Sequence, residues 1–81
     1  MSVRVLFFAS LADITGMRET HVDAASFPDL GSVFARFAGE FPLLAAHRKS
    51  IAFALNSEFA GPGSPVHDGD EVAFLPPVSG G

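Results

Sequence analysis

The sequence predicts an α+β domain in which a mixed sheet of four to five strands packs on one main helix. Three observations lead there. The first and last apolar runs, SVRVLFFA and EVAFL, are rich in β-branched and aromatic residues. Between them lies a single strongly helical pattern, Leu30, Val33, Phe34, Phe37, Ala38 and Phe41. At 81 residues, with 48% apolar residues, the chain holds one modest core and no linker or repeat. One helix can cover only one face of such a sheet.

Each element follows from local chemistry. In SVRVLFFA, Val3, Val5 and Phe7 share one face, while Arg4, Leu6 and Phe8 share the other. Both faces are largely apolar, as in a strand buried on two sides or one that meets a partner. SLADITG offers a short helical turn with Leu11, Ala12 and Ile14 inward, closing at Gly16. MRETHVDA, residues Met17 to Ala24, reads as a more polar second strand beside the first. Asp29 is the expected N-cap of the main helix, and Pro42 is expected to end it. Gly31 and Gly39 weaken that helix by roughly 1 kcal/mol each, so packing must hold it. LLAAHRKS reads as a connector.

Further on, IAFALN is a strand with Ile51, Phe53 and Leu55 on one side and Ala52 and Ala54 on the other. A turn at Ser57 and Glu58, a short strand at Phe59, the loop GPGSP and the tight turn HDGD lead into EVAFL. The apolar content of the first and last strands places them side by side and parallel in the centre.

Composition removes several functions. A formal charge of −4, from five basic and nine acidic residues, offers no basic stripe for nucleic acid. There is no cysteine, so neither disulfides nor thiolate chemistry are available. The apolar N-terminal run is too short for a membrane span, and a cytoplasmic protein is expected. His21, His47 and His67 stand far apart with no ligand spacing, so no metal site is assigned. HDGD lacks the remaining ligands of a calcium loop and serves to turn the chain. His47, Arg48 and Lys49 form the one basic cluster, read as a solvated connector rather than a phosphate site. Ser10 and Ser79 have no base placed beside them, and no internal catalytic constellation emerges.

Two features remain. By parity, Leu6, Phe8, Ala52, Ala54, Ala73 and Leu75, bordered by Phe59, collect on the face away from the helix. That makes a flat apolar surface of the kind partners cover. The ending FLPPVSGG then leaves the sheet, because Pro76 and Pro77 remove two donors and fix φ. The expected division is a domain over residues 1–75 and an extended tail over 76–81. At the tip, Gly80 and Gly81 carry no side chain, so a nucleophile or a narrow channel can reach a terminal carbonyl unhindered.

With VRVLFFA near the start and DGDEVAFLPPVSGG at the end, the chain resembles the small subunits of molybdopterin synthase, ubiquitin-like β-grasp sulfur carriers. The resemblance covers essentially the whole chain; SLADITG matches more loosely, and the glycines and phenylalanines of the helix depart from a more polar pattern. It implies that an E1-like enzyme uses ATP to adenylate Gly81, which then becomes a thiocarboxylate. It further implies that Pro76, Pro77, Val78, Ser79 and Gly80 insert into the large synthase subunit within a 2:2 heterotetramer. There the sulfur passes to cyclic pyranopterin monophosphate to form molybdopterin. Phe8, Phe59 and Leu75 match partner-contact positions, and no cofactor is expected to be bound by the chain itself. Two alternatives stay open: a sulfur carrier of another pathway, such as the thiamine type, and a ubiquitin-like interaction module or protein modifier.

Overall fold

In a computed structural model, which describes residues 2–77, five strands form one sheet in the order β2-β1-β5-β3-β4. They are β1 (Ser2–Phe7), β2 (Glu19–Asp23), β3 (Ala52–Leu55), β4 (Glu58–Ala60) and β5 (Glu71–Leu75). β1 runs parallel to β5, and every other pairing is antiparallel. The expected central, parallel placement of the first and last strands therefore holds. The register aligns Phe7 with Phe74 and Phe74 with Phe53 on one face. Phe74 is fully buried there, its ring 5.2–5.7 Å from those of Phe7, Phe34 and Phe53.

The helix that supplies Phe34 is α2 (Leu30–Glu40). Asp29 caps it by accepting from the Ser32 N–H (2.8 Å), while the Ser32 hydroxyl accepts from the Asp29 N–H (3.3 Å). The GPGSP loop completes this terminus. The Leu30 N–H donates to the Ser64 carbonyl (3.1 Å), and the Gly31 N–H donates to the Pro62 carbonyl (2.8 Å). Orphan donors of the first turn thus find partners in a distant loop. The approach also explains Gly31, since a Cβ there would lie 3.1 Å from the Pro62 oxygen. Gly39 meets no such neighbour.

The main helix ends ahead of Pro42, as expected, with Phe41 as the C-cap of α2, but Pro42 also opens a second helix, α3 (Pro42–Ala46). Proline suits the first helical position because its missing N–H would have no partner there. LLAAHRKS is therefore α3 followed by a 3₁₀ turn over Arg48–Ser50, not a bare connector. Leu44, fully buried, pins α3 to the core. The hairpin between β3 and β4 turns at Asn56 and Ser57, whose φ values are 51° and 72°, and Glu58 already belongs to β4. Two positive φ values are what a two-residue hairpin of the right twist requires. The second strand is also shorter than expected, beginning at Glu19 rather than Met17.

The helical turn after β1 is α1 (Ser10–Thr15), closed by Gly16 in the left-handed region at φ 74°. Leu11 is buried in the core, with Ala12 and Ile14 partly buried against it. The HDGD turn holds β5 to β1: Gly69 takes φ 87°, and its N–H donates to the Ser2 carbonyl (2.9 Å). All three helices serve the same core, so the other face of the sheet has no layer over it among the described residues.

Candidate functional site

The uncovered face is organised by register into rows that cross the sheet. One row runs Glu19, Leu6, Ala73, Ala54, Phe59 through four strand pairings. A second pairs Leu75 with Ala52, and Phe8 stands beside it because its N–H donates to the Phe74 carbonyl (3.2 Å). The predicted patch is thus assembled as parity required. Phe59 is 81% exposed and Phe8 44%, whereas Ala54 and Ala73 are only 8% and 9% exposed. Large rings at the rim and methyl groups at the floor make a shallow depression, lined by Phe8, Ala54, Ser57, Phe59, Glu71, Ala73 and Leu75. A rim of rings around a small-residue floor suits a partner's side chain entering from above.

The row nearest the strand starts is polar. Arg4 pairs with Glu71, and His21 lies opposite Arg4 on β2. The Arg4 guanidinium grips Glu19 with two contacts of 3.1 Å and reaches Glu71 with a third of 3.1 Å. These carboxylates, the hydrogen bond to Glu19 first, raise the affinity of Arg4 for its proton. The face therefore grades from fixed charges at one end to apolar rings at the other. Its apolar end is where β5 passes into Pro76, which is half-buried, and Pro77, which is exposed. Val78, Ser79, Gly80 and Gly81 lie outside the described residues.

Two contributors to this site escaped the sequence reading. Glu71 is on the open face by the parity that placed Ala73, and Ser57 reaches it only because the hairpin turns one residue earlier than expected. Asn56 ties that hairpin to β5. Its side chain accepts from the Glu71 N–H (2.9 Å) and donates to Asp70 (3.0 Å). Asp70 also accepts from the His67 N–H (2.8 Å). These two hydrogen bonds, that of Asn56 first, hold the Asp70 carboxyl below the usual range.

The other sequence candidates are dispersed. Asp68 accepts from the Ser2 N–H (2.8 Å), so both HDGD carboxylates serve backbone amides. No group of three or more potential ligands gathers for a metal among the described residues. Arg48 spreads its guanidinium over Phe53 and Phe34, at 4.5 and 5.3 Å from the ring centres, which uses it to cover the core edge. No helix of the described residues is long and apolar enough to cross a membrane.

Comparison with known proteins agrees with this geometry. The sequence profile of the ThiS family matches residues 5–81. The molybdopterin synthase sulfur carrier subunit of Escherichia coli (strain K12) is 37% identical over 98% of this chain and 99% of its own length. Among solved structures, small archaeal modifier protein 1 of Haloferax volcanii superposes with a TM-score of 0.81 at 31% identity, covering both chains completely. The complex of subunits 1 and 2 of the molybdopterin-converting factor from Helicobacter pylori contains a chain that superposes with a TM-score of 0.69 at 28% identity, again over all of both chains.

Proposed function

The chain belongs to the ThiS family and has the ubiquitin-like β-grasp fold, and from that membership we propose that it is the sulfur-carrier subunit of molybdopterin synthase. The observation that carries this reading is the junction of the open apolar face with the tail. The central strand β5 ends at Leu75, beside Phe8, and passes there into Pro76 and Pro77, so a partner seated on the face would meet the chain where it leaves the sheet. The full-length likeness to molybdopterin synthase sulfur carrier subunits supports the choice of pathway.

In this reading the protein supplies a reactive carbonyl and a docking surface, and its partners supply the catalysis. The Gly81 carboxylate attacks the α-phosphate of ATP in an E1-like enzyme, releasing pyrophosphate and leaving an acyl adenylate. Hydrosulfide then adds to the carbonyl carbon and expels AMP, giving a thiocarboxylate. Phe8, Phe59 and Leu75 seat the domain on the large subunit, while residues 76–81 enter that subunit's active site. There the sulfur passes to cyclic pyranopterin monophosphate. Glycine at 80 and 81 suits both steps, because no Cβ obstructs attack at the carbonyl or entry into a narrow channel.

Purification from cells that contain the activating enzyme tests the proposal by intact mass. One oxygen-to-sulfur exchange localised to Gly81, absent when Gly81 is deleted, is the expected result. A mass always equal to that of the plain sequence, even with activating enzyme, ATP and a sulfur donor supplied, would remove the carrier role. The likeness to small archaeal modifier protein 1 favours one second reading, a protein modifier. Conjugates joining Gly81 to lysines of other proteins would mark that reading instead.

A further inference from the structure

Ala9 lies between β1 and α1 with φ 50° and ψ −125°, and its side chain is exposed. The Leu11 N–H donates to the Phe8 carbonyl (3.0 Å), so residues 8–11 form a turn with Ala9 in its first central position. That conformation belongs to glycine, and a Cβ there is strained. Among the described residues the methyl group is not part of the buried core. The turn itself is held by other bonds: Ala12 N–H to the Ala9 carbonyl (3.0 Å) and the buried Leu11 side chain. Glycine would serve the fold better, so the methyl group needs a reason outside it.

Its position supplies one. Ala9 follows Phe8, the half-exposed ring of the docking face, and helps to line a groove shared by Leu6, Phe8 and Ala12 with the charged Asp13, Arg18 and Glu19. Leu6 and Phe8 belong to the rows of the open face, so this groove prolongs that face around the end of β1. We infer that the Ala9 methyl is a contact of the docking surface, kept at a strained backbone position because the large subunit closes over it. The inference rests on the proposed docking of that subunit.

The test is the full chain with Ala9→Gly, measured for thermal stability and for affinity to the large subunit of the same organism. The expected result is a melting temperature higher by about 5 °C, net of glycine's greater unfolded-state entropy. Affinity should fall roughly fourfold, as for one methyl lost from a buried contact. In a methyl-labelled sample the Ala9 resonance should shift on adding the large subunit, while that of Ala35, exposed on α2, should not. Unchanged affinity, a melting temperature that does not rise, or an Ala9 methyl signal that ignores the partner would each overturn the inference. If the unaltered chain itself fails to bind the large subunit, the docking reading falls first and this one with it.

Discussion

The two faces of this sheet are built from alternate residues of the same strands, yet they do opposite work. On the covered face Val3, Val5, Val72 and Phe74 are wholly buried beneath the helices. On the open face their neighbours Ala73 and Leu75 line a shallow depression with Ala54, ringed by Phe8 and Phe59. Burial on the first face stabilises the monomer. On the second, apolar area is left in water, where it contributes only when something covers it. Substitutions on the two faces should therefore separate stability from recognition.

The largest effect is expected at Phe74. Phe74→Ala removes a ring packed against Phe7, Phe34 and Phe53 and should cost about 3–5 kcal/mol in urea unfolding, enough to threaten a domain of this size. A loss under about 1 kcal/mol would mean that the covered face is not the core. One residue type on the other face gives the contrast. Phe8→Asp should weaken binding to the large subunit tenfold or more, a charge having been placed in an apolar interface. Its unfolding free energy should stay within roughly 0.5 kcal/mol of the original. Equal losses of stability and affinity would erase the distinction between the faces.

A smaller pair of changes sharpens the same division within α2. Gly39→Ala meets open space and should stabilise the helix by about 0.5–1 kcal/mol. Gly31→Ala gains the same propensity but sets a Cβ against the Pro62 carbonyl, so it should show no net gain or a loss. Chemical denaturation of the two variants side by side decides the matter; equal stabilisation would dismiss the close approach of the GPGSP loop.

The smallest effect concerns acid. Asp70 has its carboxyl pKa lowered by hydrogen bonds from Asn56 and His67. Its contribution is present above the unfolded value, about 3.9, and is lost as the pH falls through the lower folded value. Asp70→Asn should flatten that acid limb of the stability profile while leaving the open face intact. A limb of unchanged slope would assign acid sensitivity to other carboxylates.

Much of this was legible in the chain. Period-two alternation in SVRVLFFA, IAFAL and EVAFL separated the two faces, because successive side chains of a strand must point opposite ways. Asp29 followed by a 3.6-residue pattern located α2. The run from β5 into two prolines marked where the sheet must stop, and an apolar parity with no second helix to bury it marked the open apolar face. These are local rules, satisfied by residues a few positions apart.

The remainder needed the chain to meet itself. Pro42 closes one helix and opens the next, and the second helix became visible only where Leu44 reaches the core. Gly31 looked like a weakness until the Pro62 carbonyl, thirty-one positions away, occupied the space its side chain would take. Arg48 looked like part of a solvated basic run, but the rings of Phe34 and Phe53 meet beneath it. Leu6, Ala73, Ala54 and Phe59 became one row only through the registers of three strand pairings. Sequence determined which residues are apolar and on what period. Tertiary structure decided which of them share a surface, because register and close approach depend on groups far apart in the chain and near in space.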